Sequence, residues 1–323
     1  MKKIVFSLLI TCSGYSYSAC IQNPGFNNIQ AFVPARTFTV QYDDTSVRDL
    51  GSINITYLSA ASTTTYSASN GECGNAYLNG TFVNNWSPNA SNIAPSNISG
   101  VGITVATGGI GGNFNRRFGP PSAGTLGWVI YDTKWHITFK KTGQITSSNY
   151  IRSGMIARLT QTNATPSSTW YLTALNMPAN TVRINVLSCS LKNSQSVYNV
   201  ELGDWYDTQF ENIGDTSTSV DIPITLTCMA GANIKATVTS SAGYVDINTG
   251  KLALSGADKA TGVAIQLLDK NSAPIKLNTK NSLQNNVPAG DYMFNWKARY
   301  IKTADKITPG SANTTATVNI RYE

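Results

Sequence analysis

The chain has 323 residues, of which 41% are hydrophobic and only 13% charged, with one histidine and a formal net charge of +7. Ordinary cytosolic domains carry about 25% charge, and here Ser, Thr, Asn and Gly take that place, as in exported β-proteins with hydroxyl- and amide-rich turns. The lysines and arginines are scattered rather than clustered, which speaks against a nucleic-acid footprint.

The first element is an address. Met1 to Cys12, "MKKIVFSLLITC", sets two lysines before an apolar run, and "SGYSYSA" follows with small polar residues. That pattern reads as a secretory signal peptide over 1–19, with Ser16 and Ser18 suited to a cleavage site. Loss of Lys2 and Lys3 takes the net charge from +7 to +5. No later run approaches the ~18 apolar residues of a membrane span, so an exported, soluble chain is expected. About 304 residues remain, more than one usual domain, and two domains are the prior.

Cys20, Cys73, Cys189 and Cys228 remain after the leader. An even number in an exported chain indicates disulfides. Of three possible pairings, the clustering favours Cys20–Cys73 and Cys189–Cys228. A zinc site would want a CxxC pair and more histidine, so no metal and no cofactor are expected.

Two loops of the first half offer binding chemistry. "NNWSPNASNIAPSN" (84–97) places Asn85 and Trp86 among hydroxyls and amides, partners suited to sugar hydroxyls and to the apolar face of a pyranose. "ATGGIGGNFNRRFGPPSAG" (106–124) carries Arg116, Arg117 and Phe118. It lacks the GxGxxG spacing and Lys-Ser pair of a phosphate loop, and suits instead an acidic sugar or a matrix protein. Further on, Trp135, Ile137 and Phe139 alternate toward a core, while Asp132 and His136 fall on the other side of the strand. Asp132 is the carboxylate candidate for a receptor site, and His136 reads as a surface strand residue. Hydrolase chemistry finds no GxSxG elbow and no HExxH helix. Glu72 and Asp132 are among few acids that could form a carboxylate pair, and an enzyme is not expected.

Met177-Pro178-Ala179-Asn180 punctuates the chain as a short linker, giving domains 20–176 and 177–323. The second half reads as short strands: "VYNVELG", "SVDIPITLTC", "IKATVTS", "GVAIQLLD", "GDYMFNWKARYI" and "TATVNIRYE". Their spacing predicts a β-sandwich. The last places Val318, Ile320 and Tyr322 on one face, with no returning strand after it. Such an edge invites pairing with another chain.

"GVAIQLLDKNSAPIKLN" followed by "FNWKARYIKTADKITPGSANTTATVNIRYE" resembles the C-terminal part of pilin domains of the chaperone–usher pathway. Gly310, fourteenth from the end, and penultimate Tyr322 match that family, as do the paired cysteines. The segment 127–159, with Trp135, Lys141, Thr142, Gly143 and Ile145, is similar to enterobacterial adhesin domains.

The resemblance implies an all-β chain of two β-sandwich domains, the second an immunoglobulin-like fold lacking its last strand. It implies that Gly310, Val318, Ile320 and Tyr322 meet a strand supplied from outside. The partners implied are a periplasmic chaperone, the outer-membrane usher and the next subunit's donor strand. With at most one residue ahead of Cys20 after cleavage, the chain is expected to accept a strand without donating one. That describes the tip of a fimbria at the bacterial surface, with a lectin-like first domain binding a host glycan or matrix protein. A tip or adaptor subunit without a receptor is the alternative.

Overall fold

The computed structural model describes residues 20–67, 73–109, 114–119 and 127–323. The leader lies outside them, as do Glu72 and residues 110–113 and 120–124 of the second loop. The chain is all-β, and among the described residues no helix is long and apolar enough to cross a membrane.

Two compact units form. One holds residues up to 36, 47–142 and 150–183, and the other holds 37–46, 143–149 and 184–323. This differs from a single cut after residue 176. Pro178 and Asn180 (φ 56°) do make a turn. The strand after it, Val182–Leu187, starts in the first unit and ends in the second. A division inside a strand leaves no linker composition to read.

The first unit is a sandwich. Its five-stranded sheet runs, in spatial order, Ile29–Phe32, Ser167–Met177, Gly154–Ala164, Tyr77–Phe82 and Arg116–Phe118. The first pair is parallel and the others antiparallel. Opposite lies a four-stranded antiparallel sheet in the order Arg48–Thr56, Lys134–Lys141, Val101–Ala106 and Ala94–Pro95. Strict alternation on Lys134–Lys141 drives this packing, because period-2 side chains share a face. Trp135, Ile137 and Phe139 are fully buried, as the alternation predicts. The Trp135 indole donates to Thr173 Oγ1 of the other sheet at 3.0 Å and meets Phe114 edge-on at 5.5 Å. Cys20 pairs with Cys73.

The second unit contains three sheets around one core that includes Leu226, Ile234, Val238, Leu267, Phe294 and Trp296. Cys189–Leu191, Thr225–Cys228 and Gly290–Met293 form one sheet, and Cys189 bonds Cys228 directly across the ladder. The largest runs Val220–Ile222, Trp296–Lys302, Val263–Leu268, Lys251–Leu252 and Tyr244–Asp246. The third runs Lys280–Gln284, Ile234–Thr239 and Thr317–Arg321. Two expected strands are split. "SVDIPITLTC" breaks at Pro223, which has no N–H to donate, and "GDYMFNWKARYI" breaks where Asn295 takes φ 52°.

"VYNVELG" forms no strand, contrary to the sequence reading. Its alternation is nevertheless present, with Tyr198, Val200 and Leu202 half-buried between exposed neighbours. The segment has the side-chain pattern of a strand without a ladder partner.

Candidate functional site

The first site is an edge. Thr317–Arg321 pairs antiparallel with Ile234–Thr239, Val318 opposite Val238 and Ile320 opposite Ala236. Among the described residues its other edge has no strand beside it. Val318, Ile320 and Tyr322 pack on the core but remain only half-buried, while Thr317, Asn319 and Arg321 are exposed. Tyr198 and Leu202, from the unpaired segment, pack on the same core. Tyr300 packs on the same core. Its hydroxyl donates to the Ala312 carbonyl at 3.4 Å, and its pKa is raised by burial and by the nearby charges of Asp204 and Glu201. Two extended segments with half-wet apolar side chains thus flank one core, and neither has its full complement of neighbours.

The far end of the last strand is pinned. Asp43 accepts from the Tyr322 backbone N–H at 2.8 Å and from Arg321 at 3.0 Å, and its own N–H donates to the Tyr322 carbonyl. Burial, with Asp43 nearby, pushes the Tyr322 phenol up to about 12. Lys280 at 2.7 Å holds the Glu323 carboxyl below its ordinary range, with help from Lys235. A fixed end sets the register of whatever pairs along the free edge.

Gly310 precedes the last strand and is held closely by a neighbouring segment. A Cβ there would lie 2.5 Å from the Ala260 nitrogen and the Asp258 carbonyl oxygen. The chain lies against residues 258–260, with Ala260 N–H donating to the Ser311 carbonyl and Ser311 N–H to that of Asp258. Glycine permits this approach because it has no side chain.

The receptor candidates of the first unit are not one site. Trp86 is only 3% exposed, and the Arg152 guanidinium covers its ring at 4.0 Å. Arg152 also donates to the carbonyls of Asn85 and Pro95. The ring reading as a stacking platform is therefore corrected: Trp86 is a packed residue, and exposed Asn85 contributes its backbone to the clamp. This cluster lies beside residue 150, where the chain enters the unit. Arg116 and Arg117 lie on the edge strand of the five-stranded sheet, over the rings of Phe118 and Tyr77 at 4.0 and 3.5 Å.

Asp132 lies elsewhere in the unit. Arg48–Thr56 and Lys134–Lys141 pair from Arg48–Lys141 at one end to Thr56–Lys134 at the other. There a cleft of about 370 Å³ is lined by Thr56, Ser59, Tyr131, Asp132, Thr133 and Lys134, among others. Asp132 Oδ2 lies 2.8 Å from His136 Nε2, and His136 Nδ1 lies 2.8 Å from Asn54 Oδ1. His136 is thus half-buried and orients the carboxylate, more than a plain surface residue does. Beneath, Tyr57 donates to the Asp132 carbonyl, and burial pushes its phenol up to about 12. Tyr131 is 76% exposed. A fixed carboxylate, hydroxyls and an open aromatic ring are groups that hold a polar ring-shaped ligand. Tyr131 went unnoticed in the sequence, where "VIYD" gives no sign that the strand stops at Ile130.

Residues 180–323 match the family model described as Fimbrial protein. The chain is 35% identical over 141 residues to the type-1 fimbrial protein A chain of Salmonella typhi, covering 42% of this chain and 76% of the relative. It is 33% identical to the fimbrial subunit type 1 of Salmonella typhimurium, with the same 42% and 76% coverage. Among solved structures, the CupB6 tip adhesin of Pseudomonas aeruginosa aligns over 89% of this chain and 90% of its own, at 14% identity and a TM-score of 0.36. On the sequence matches, the chain belongs to the fimbrial protein family.

Proposed function

We propose that this fimbrial protein is a two-domain tip adhesin, its second unit receiving a strand from a chaperone and then from the next subunit, its first unit binding a receptor. The observation that carries this reading is the last strand, paired on one edge and half-wet along Val318 and Ile320. A guest strand laid beside it would complete the ladder and cover both residues, the logic of β-strand addition. The separate β-sandwich ahead of the fimbrial region supports a task beyond assembly.

Within that sandwich the Tyr131–Asp132 cleft is the proposed receptor site, for a host glycan or matrix protein. Trp86, now buried, is withdrawn from the site. The full chain, co-produced with the chaperone of its own fimbrial system, tests both halves. Val318→Asp with Ile320→Asp should abolish capture and incorporation into fibres. On glycan and matrix-protein arrays, wild type should bind, and Tyr131→Ala or Asp132→Asn should weaken binding by roughly 1–3 kcal/mol, the range of an interface hot spot. Capture by the chaperone without binding to any array would favour the adaptor reading.

A further inference from the structure

The outer face of the five-stranded sheet carries a second set of chemistry, on residues other than those of the cleft. The pairing aligns Arg117, Asn79, Thr160 and Tyr171 in one row across four strands. At ~4.8 Å between strands that row spans about 14 Å. Arg158 lies on the same face, two residues from Thr160, and its guanidinium sits 4.9 Å from the Tyr171 ring. At the other end Arg117 sits 3.5 Å from the Tyr77 ring. Tyr171 is 46% exposed and Arg117 is exposed.

Charge on this sheet has one sign. Its five strands, 29–32, 77–82, 116–118, 154–164 and 167–177, contain arginine but no aspartate or glutamate. An arginine stacked on an aromatic face keeps its N–H edge directed outward, and stacking limits the rotamer freedom lost on binding. Arg158 spends Nε on Met155 Sδ, which leaves its two terminal nitrogens for a ligand. Asn79 and Thr160 between the two arginines offer neutral amide and hydroxyl partners. Two fixed cationic forks separated by neutral hydrogen-bonding groups match an extended chain with repeating anions and hydroxyls.

The geometry points to this face as a binding surface for a sulfated polysaccharide. The planar guanidinium matches a tetrahedral oxyanion bidentately, and a sheet face with rings and hydroxyls suits the sugars between sulfates. The surface is independent of the cleft and does not rest on the tip-adhesin reading.

Heparin is the probe, with chemically desulfated heparin beside it and the full chain immobilised at low salt. Wild type should bind heparin at least tenfold more tightly than the desulfated chain, with affinity falling as salt rises. Arg117→Gln with Arg158→Gln should lose tenfold or more, and Arg117→Lys with Arg158→Lys should retain part of the binding. Thr160→Glu, which leaves both arginines in place, should also abolish it. Undiminished heparin binding by the double glutamine variant and by Thr160→Glu would overturn the proposal. So would equal affinity for duplex DNA and heparin, which would mark general attraction to polyanions.

Discussion

In the first unit the long strand Ser167–Met177 has a neighbour on each edge, Gly154–Ala164 antiparallel and Ile29–Phe32 parallel. Leu172, Ala174 and Leu175 on it are completely buried. In the second unit the last strand, Thr317–Arg321, has one neighbour, and its inward residues are only half covered. The difference lies in the supply of the closing strand. Residues 29–32, far upstream, close the first sheet from within the chain. The segment 37–46 reaches the second unit, but its Asp43 holds only the end at Arg321–Tyr322. On the proposed reading, one unit completes itself and the other waits for a strand.

The largest effect that could break this comparison is complementation. A peptide of four alternating apolar residues, joined after Glu323 by a flexible linker, should stabilise the second unit by roughly 6 kcal/mol, taking about 1.5 kcal/mol for each buried side chain. Calorimetry should show the second unit's transition rising and the first unit's staying. Equal shifts in both, or none, would count against the contrast. Next comes the covalent staple. Cys189→Ala with Cys228→Ala opens a loop with a sequence separation of 39, worth about 4 kcal/mol in the chain-entropy model. The second unit should unfold far more easily, while the first unit's transition stays in place.

Equivalent truncations then sharpen the contrast. Leu172→Ala should cost about 2–5 kcal/mol, as for a fully buried leucine. Ile320→Ala should cost under about 1.5 kcal/mol in the open chain and more once a peptide fills the edge, since only then is the side chain buried. Similar costs for Ile320→Ala with and without peptide would contradict the open-edge reading. In chemical denaturation, Gly310→Ala should cost the second unit about 1–3 kcal/mol through overpacking against residues 258–260 and leave the first unit's transition unchanged.

The smallest effect is with pH, and here the units should agree. Tyr57 in the first and Tyr322 in the second are both raised to about 12 by burial, from about 10 in an unfolded chain. A raised phenol pKa means that the unfolded state loses its proton first. The stability each contributes is whole below pH ~10 and falls as pH rises toward ~12. Ultraviolet titration of Tyr57→Phe and Tyr322→Phe should each remove one late-ionising phenol. Filling the edge should delay the Tyr322 step further and leave Tyr57 unchanged.

Much of the second unit was legible in the sequence. Alternation located Ile234–Thr239 and Thr317–Arg321, because a strand between core and solvent writes its period into its residues, and a short, nearly continuous apolar run located Val263–Leu268, which is buried on both faces. "VYNVELG" misled for an informative reason: the same period appears where a strand's side chains exist without its partner. The first unit's candidate binding chemistry was less legible. Trp86 sits among asparagines and serines, yet Arg152, distant in sequence, covers it. Asp132 was found as a carboxylate, but its cleft depends on Ser59 and Tyr131 converging from two loops. The Arg117–Tyr171 row depends on four strands coming into register, and local pattern carries no trace of it.

Hydrogen exchange along Thr317–Arg321, in the full chain with and without an added donor peptide, tests the open strand most directly. Without peptide, the amides directed away from Ile234–Thr239 should exchange rapidly, while those paired to it stay protected. With peptide, the rapid set should become protected and those of Ser167–Met177 should not change. Uniform protection of Thr317–Arg321 before any peptide is added would show that the strand already has both neighbours, and would contradict the acceptor role.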